Sequence, residues 1–273
     1  MASGFAGALF AAVLPASPAA AQGKLDARYE VTLAGIPIGV GSWVVEISDD
    51  QYSASASGGT TGLLKAFAGG TGSGTSQGRI VAGALVPAAY TATMTSSRKS
   101  ETVRITLADG NVKDSVIVPT PPVEANRIPV TDAQKQGVLD PMTASLLRVP
   151  GNADLLSPES CHTATPVFDG RMRYDLHLEY KRKETVKAEK GYRGPALVCA
   201  IYFVPISGYI PDRIAIKYLT AQRNMEIWLV PIAGTRVLVP FRMTIPTPLG
   251  LGKLEATQFL ATALPPRPPV KTQ

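Results

Sequence analysis

The segment Val167-Phe168-Asp169-Gly170-Arg171-Met172-Arg173-Tyr174-Asp175-Leu176-His177-Leu178-Glu179-Tyr180 carries the strongest strand pattern in the chain. From Met172 onward, apolar residues occupy every second position and ionisable residues occupy the positions between them. This period of two predicts a half-buried β-strand with its ionisable side chains on one face. The Asp-Gly pair before it predicts a turn into the strand.

Short strands joined by turns are predicted along most of the remaining chain. Gly35 to Gly39 connects two of them, and Asp109-Gly110 between two others is typical of a type I′ hairpin. Residues 58–78 are rich in Gly, Ser and Thr and are predicted to form a mobile lip. Residues 213–219 are predicted to form a strand. Asp140 as N-cap and Pro141 at the first helical position predict a helix over residues 140–148.

The pattern as a whole predicts an all-β, mainly antiparallel fold. A dozen or more short strands, one or two short helices and no β-α-β alternation favour a large open or closed β-barrel or β-spiral. We expect a single barrel-like domain over residues 22–264 and a disordered, proline-rich tail over residues 265–273.

The N-terminus predicts export. Residues 1–21 carry no charged side chain, and an apolar run is followed by Ala19-Ala20-Ala21. These features indicate a signal peptide cleaved near Ala21, and therefore a periplasmic protein. The usual basic segment is missing, which suggests that the true start codon lies upstream. We expect no transmembrane span in the mature chain, because no later segment has about 20 uninterrupted apolar residues.

The two cysteines, Cys161 and Cys199, are predicted to form a disulfide, because thiols of exported proteins usually pair. There is no C-x-x-C pair for redox exchange, and His162 beside Cys161 supplies too few ligands for a zinc site. We expect neither a metal site nor a cofactor.

Net charge favours anionic surroundings. The chain has a formal net charge of +6, which suits lipid head groups or envelope polysaccharide. A basic segment could contact such an anionic surface or form a solvated turn that protects a sheet edge. Nucleic acid is not an expected partner, because stacking aromatic residues are not interleaved with the charges. The basic residues of this segment are Lys181, Arg182, Lys183, Lys187, Lys190 and Arg193.

Sequence patterns for nucleophiles and phosphate loops lack their context. Gly74-Thr75-Ser76-Gln77-Gly78 matches G-x-S-x-G, but that elbow requires a strand followed by a helix. Ser96-Ser97-Arg98-Lys99 matches S-x-x-K without its companion motifs. The glycines of residues 58–78 lack the G-K-[ST] ending of a phosphate loop.

The ionisable face of the opening segment is the remaining candidate for chemistry. Carboxylates beside a histidine can act as acids and bases. Alternating charges on an amphipathic strand are more often a solvated face. The candidate pocket or surface residues are Asp169, Arg171, Arg173, Asp175 and His177.

A set of short sequence phrases occurs in a fixed order along the chain. They are Gly35-Ile36-Pro37-Ile38-Gly39, Thr61-Gly62-Leu63, Val86-Pro87-Ala88-Ala89-Tyr90, Gly137-Val138-Leu139-Asp140-Pro141-Met142-Thr143-Ala144, Val167 to Leu176, Cys199 with Tyr202, Pro205-Ile206-Ser207-Gly208-Tyr209, Ile227-Trp228-Leu229 and Pro240-Phe241-Arg242. With these phrases the chain resembles, over most of residues 26–262, the "domain of unknown function 3108" family of exported Gram-negative proteins in its alphaproteobacterial form. The resemblance implies an envelope protein with a β-rich, barrel-like or spiral fold and no established activity. In plan the chain is also similar to alphaproteobacterial envelope-integrity proteins that form an open β-spiral with one disulfide.

These observations support three hypotheses of function. The first is a non-enzymatic periplasmic protein that binds an apolar ligand, such as a lipid, or an envelope protein partner, and contributes to envelope maintenance. The second is an envelope lipid or glycan hydrolase or transferase that uses Asp169, Asp175 or His177. The third is a purely structural interaction module.

Overall fold

The computed structural model describes residues 22–62, 65 and 69–265. The first half of this range is a meander of long antiparallel strands, and short turns join all of them except β3 and β4. Small and polar residues alternate with apolar ones along them, and they pair through their backbones. The strands are β1 (Gly23–Leu33), β2 (Ile36–Ile47), β3 (Gln51–Thr60), β4 (Gly70–Val81), β5 (Ala84–Ser96), β6 (Ser100–Ala108) and β7 (Asn111–Val118).

The second half begins with a long connection and continues with a further set of strands. The connection contains 3-10 turns at Asp132–Lys135 and Thr143–Ser145, and a third follows at Pro158–Cys161. The later elements are β8 (Leu147–Arg148), β9 (Thr163–Phe168), β10 (Arg173–Lys187), β11 (Lys190–Gly191), β12 (Arg193–Ser207), α1 (Ile214–Ala221), β13 (Glu226–Pro231), β14 (Val237–Thr247) and β15 (Gly250–Ala263).

All of these strands belong to one sheet of the order β7-β6-β5-β4-β3-β2-β1-β15-β14-β13-β12-β10-β9. Each neighbouring pair in this order is antiparallel. The first and last long strands along the chain, β1 and β15, lie side by side in the sheet. Two short strands lie off the main order: β8 pairs with β14, and β11 pairs with β15 in parallel. The predicted fold class, a mainly antiparallel barrel-like sheet with little helix, is confirmed, and the hydrogen-bonded ladder does not close.

The segment around Val138 and Leu139 connects the two edges of this open sheet through backbone hydrogen bonds. Val138 donates its N–H to the carbonyl of Gly110, and Leu139 donates to Pro166 while accepting from the N–H of Phe168. Along the same line, the inward side chains of β6 pack against the end of β9. We call this contact between the β6–β7 edge and the β9–β10 edge the seam. Its buried residues are Val103, Ile105, Leu107, Val138 and Phe168.

The Asp169-Gly170 turn lies directly over the seam. Gly170 has φ +95°, and a Cβ at this position would lie 2.5 Å from Cγ1 of Val103. Any side chain here would therefore force the turn away from β6. The turn that the sequence predicts before β10 is thus also a contact between the two sheet edges.

Strands β12 to β14 are buried on both faces. Ala196 and Val198 belong to the largest core cluster, and the intervening Leu197 and Cys199 belong to a second cluster. Because successive residues of a strand point to opposite faces, the two clusters lie on opposite sides of these strands. The structure joins Cys161 to Cys199 in the predicted disulfide, within the second cluster.

Two predicted elements are wrong in type. Residues 213–219 form most of helix α1 instead of a strand. A short apolar run does not decide between the two by its pattern alone, and β12 already pairs directly with β13, so this segment has no place in the ladder. Residues 140–148 form a single 3-10 turn and β8 instead of a helix, although Asp140 does accept bonds from the N–H groups of Met142 and Thr143.

The predicted lip over residues 58–78 is mostly regular strand. β3 continues to Thr60 and β4 starts at Gly70, and the two pair from Gln51↔Arg79 to Gly59↔Thr71. Low β-propensity is overridden here because neighbouring strands on both sides supply backbone partners. Residues 63, 64 and 66–68 of that prediction lie outside the described residues, as do the predicted signal peptide and residues 266–273 of the tail.

Candidate functional site

The inward face of β1 to β6 is built in rows that cross the strands. Residues paired directly in an antiparallel sheet point to the same face, so the register defines each row. In one row Gly41 pairs with Gly58, and Gly58 pairs with Gly72. Tyr29 and Met94 flank these three glycines. We call Gly41, Gly58 and Gly72 the glycine row.

Side chains become larger in the rows below the glycine row. The next row is Trp43, Ala56, Gly74, Ala92 and Val103, and the one after it is Val45, Ala54, Ser76, Tyr90 and Ile105. The wall therefore has no side chains at the glycine row and fills progressively below it. Space remains inside the sheet at the level of the three glycines.

That space is a cavity with a volume of about 1090 Å³. The wall opposite the glycine row is almost entirely aliphatic and comes from β10 and β12 to β15, in the second half of the chain. Among the lining residues, Lys99 and Glu101 carry formal charges, and both lie at the mouth, beside Met94 and Ser96. The opposite wall is made of Leu176, Leu178, Ile201, Ile227, Leu229, Met243 and Leu254.

Pro141, Met142, Ala144, Ser145 and Leu147 form the floor of the cavity. This segment is fixed to the sheet by Asp140, which is completely buried. One carboxylate oxygen of Asp140 accepts the N–H groups of Met142 and Thr143, each at 3.0 Å. The other accepts the hydroxyl of Ser76 at 3.0 Å and that of Thr143 at 2.5 Å. Burial raises the pKa of the Asp140 carboxyl, against the effect of these donors.

Ser76 is therefore a structural residue in this arrangement. It is the serine of the G-x-S-x-G pattern, but it lies in the middle of β4, is 2% exposed and directs its hydroxyl to Asp140. Tyr52 completes the cluster through its hydroxyl, 2.7 Å from Oγ1 of Thr143. The network satisfies the hydrogen-bonding groups that position the cavity floor.

A three-residue ionic cluster lies at the mouth. Glu101 points inward from β6, and its Oε2 is 2.8 Å from Nζ of Lys99 and 2.6 Å from Nη2 of Arg171. The bond from Lys99, together with the charge of Arg171, lowers the pKa of the Glu101 carboxyl. Because Arg171 follows the Asp169-Gly170 turn, this cluster also connects the two sides of the seam.

The five candidate residues of β10 and the preceding turn do not line the cavity. Asp169 accepts the backbone N–H groups of Arg171 and Met172, which stabilises the turn, and burial raises its pKa. Arg173 pairs with Asp175 at 2.6 Å. Asp175 and His177 alternate with Leu176 and Leu178, the two residues of this strand that line the cavity, so they point to the other face.

The basic segment is partly neutralised. Lys181 and Arg182 both pair with Glu226, at 2.8 and 2.9 Å, and hydrogen bonds from Arg182 lower the pKa of Glu226 to about 2. Lys183 pairs with Asp154 at 3.5 Å. Within the described part of the chain, no acidic group lies within 4.0 Å of the remaining three side chains, those of Lys187, Lys190 and Arg193.

No group of three or more His, Cys, Asp and Glu side chains in residues 22–62, 65 and 69–265 is placed to hold a metal ion. No helix in the same ranges is long and apolar enough to cross a membrane.

The sequence did not predict which residues line the cavity and its mouth. The signal that could have found them is the period-two spacing of Gly70, Gly72 and Gly74, which leaves one face of a strand without side chains. Lys99 ends the S-x-x-K match of residues 96–99, which lacks its companion motifs, and Glu101 belongs to no motif. Their joint position depends on the fold of β5 against β6.

Comparisons with known proteins give a family and include a similar solved structure. A family profile described as "Protein of unknown function (DUF3108)" matches residues 28–257, which confirms the resemblance stated from the sequence. The crystal structure of a β-barrel-like protein of domain of unknown function DUF1849 from Brucella abortus has a TM-score of 0.45 and 9% sequence identity, covering 90% of this chain and 100% of that chain. No curated protein matches the sequence.

Proposed function

We propose that this chain, which belongs to the DUF3108 family of proteins of unknown function, is a binding protein whose internal cavity holds an apolar ligand. The glycine row is the observation that carries this proposal. A sheet that only had to fold would fill its inward face with side chains, since packing them stabilises the protein. Here three adjacent strands place glycine on that face at the same level.

The cavity has the size and surface of a site for an apolar small molecule. Its volume of about 1090 Å³ is at the upper end of the range of about 300–1,000 Å³ that is typical of ligand pockets. Each buried methylene contributes about 0.8 kcal/mol. Roughly ten of them, or about 8 kcal/mol, exceed the lower estimates of the cost of association, about 4 kcal/mol.

We place this binding in the cell envelope. The support is the disulfide between Cys161 and Cys199, because such bonds persist in oxidising compartments. The apolar, uncharged residues 1–21 add to it. Envelope maintenance would then be the role of a protein that carries or stores an apolar molecule between membranes.

The proposal can be tested with a variant that adds a side chain at the glycine row and so occupies part of the cavity. A Cβ built on Gly72 has its nearest neighbour, the carbonyl oxygen of Thr93, 3.8 Å away. A Cβ at Gly72 therefore fits without a clash, and the variant Gly72→Val directs its two methyl groups toward the cavity. The neutral dye N-phenyl-1-naphthylamine, whose fluorescence increases in an apolar site, reports binding. We expect at least about a fivefold loss of dye affinity, which is close to 1 kcal/mol.

The matched control is Ser73→Val on the same strand. Ser73 is exposed on the outer face, so this variant places a valine side chain outside the cavity, and we expect unchanged dye affinity. No dye binding by the wild-type protein, or equal losses in both variants at unchanged melting temperature, would contradict the proposal.

A further inference from the structure

We propose that the ligand is a single-chain amphiphile with an anionic head group, which pairs with Lys99 at the mouth while its chain lies along the glycine row. This inference rests on the proposed function and specifies the class of ligand. Its basis is the charge distribution around the cavity.

Charge at the cavity is confined to the mouth and has an excess of cations. The Glu101 side chain is 11% exposed and already has two cationic partners, Lys99 and Arg171. Together the three side chains carry a formal charge of +1. Arg98, which precedes Lys99, is exposed, and no acidic group among the described residues pairs with it. The mouth therefore attracts an anion.

Lys99 is the group of this cluster that can accept a new partner. Its side chain is 57% exposed, and an ammonium has three donors, of which Glu101 takes one. Arg171 is 28% exposed and links the mouth to the seam. An anionic head group can therefore bind Lys99 without breaking the bond between Lys99 and Glu101.

The walls define the remainder of the ligand. From Met94 at the mouth to Met142 on the floor, the lining residues are uncharged. A second charge within the ligand would be buried there without a partner, which is costly. A cationic head group at the mouth would lie beside Lys99 and Arg171, and a neutral one would gain nothing from them. One terminal anion on an apolar chain fits both regions.

The experiment compares amphiphiles that share one chain and differ in the head group. Laurate, dodecyl phosphate, dodecanol and dodecylamine are titrated below their micelle concentrations against bound N-phenyl-1-naphthylamine. We expect the two anions to displace the dye at concentrations about threefold to tenfold lower than dodecanol does, with dodecylamine the weakest. The carboxylate and phosphate arms show which anionic head group binds better.

The variant Lys99→Gln should remove the preference for anions, measured as the ratio of the dodecanol and laurate concentrations that displace the dye. Arg98→Gln, which removes the neighbouring cation outside the lining, should keep most of the preference. Added salt should reduce the preference of the wild-type protein, since the pair is exposed.

The failures of the two proposals are distinguishable. If the wild-type protein does not bind the dye, the proposed function fails. If the dye binds but the four amphiphiles displace it equally, or if Lys99→Gln keeps the preference for anions, the anionic head group is excluded and the apolar site stands.

Discussion

Two walls of the same sheet have opposite construction. At the level of the glycine row, the wall of β2 to β4 has glycine on its inward face, and the outer faces of β3 and β4 carry mainly serine and threonine, so little side-chain volume is packed at that level. The wall of β12 to β14 is buried on both faces by separate clusters. The difference indicates that the packed wall supplies the stability of the fold and the open wall supplies its binding capacity.

We expect the largest difference between the two walls in the loss of stability when a side chain is truncated to alanine. Phe241 of the packed wall is fully buried and packs against Phe259 and Tyr192, with ring centroids 5.7 and 6.2 Å away. We expect Phe241→Ala to lower the free energy of unfolding in urea by about 3–5 kcal/mol.

The matched truncation beside the open wall, on β5, is Met94→Ala. Met94 points inward at the mouth and is 59% exposed, so we expect a change below about 0.5 kcal/mol in stability. Comparable losses in the two variants would show that the walls contribute equally and that the comparison is wrong.

The two tryptophans of the chain, one in each wall, differ in the hydrogen bonding of their indole N–H groups, and we expect a smaller difference in stability between their variants. Trp228 donates its indole N–H to Glu184 at 2.7 Å and lies between the guanidinium groups of Arg182 and Arg242, at 5.6 and 5.0 Å from the ring centre. The indole N–H of Trp43 is buried and has no hydrogen-bond partner among the described residues.

Substitution by phenylalanine should therefore act differently at the two positions. Trp228→Phe should cost about 1–3 kcal/mol, because Glu184 loses a donor and two cation–π contacts weaken. Trp43→Phe removes an unsatisfied donor, which offsets part of the lost packing, so we expect a cost below about 1 kcal/mol. Urea titrations of both variants check this order, and the reverse order would contradict it.

The smallest effect concerns acid stability of the packed wall. Hydrogen bonds from Arg182 lower the pKa of Glu226 in the folded protein from 4.5 to about 2. A lowered folded-state pKa contributes stability that is complete above the unfolded value and is lost as the pH falls through the folded value. We expect the melting temperature of Glu226→Gln to be below that of the wild-type protein at pH 7, with the gap closing between about pH 4.5 and pH 2. A gap that is independent of pH would show that the charge of Glu226 does not stabilise the fold.

The sequence predicted the β10–β12 hairpin and its disulfide better than the open wall, for a physical reason. The alternation from Met172 to Tyr180 and the pair Cys161 and Cys199 are local signals, and both correspond to observed features. The glycine row depends on the register of three strands, and residues 58–78 taken alone have the composition of a loop. Gly41, Gly58 and Gly72 acquire a common meaning when pairing places them side by side.

The mouth was unpredictable for a related reason. Lys99 and Glu101 come from the β5–β6 turn, whereas Arg171 comes from the other edge of the sheet. Their approach depends on the coiling of the whole sheet and on the bridge through Val138 and Leu139. Asp175 and His177, which the sequence suggested as candidate site residues, lie on the opposite face of β10 from Leu176 and Leu178.

The most direct test of the central claim is quenching of tryptophan fluorescence by a bromine-tagged fatty alcohol. Trp43 lines the cavity and Trp228 does not, so single-tryptophan variants report on the two walls separately. We predict saturable quenching of Trp43 in Trp228→Phe, little quenching of Trp228 in Trp43→Phe, and loss of the Trp43 signal when Gly72→Val is added. Equal quenching of the two tryptophans, or quenching of Trp43 that does not saturate, would contradict the claim that the open wall forms the ligand site.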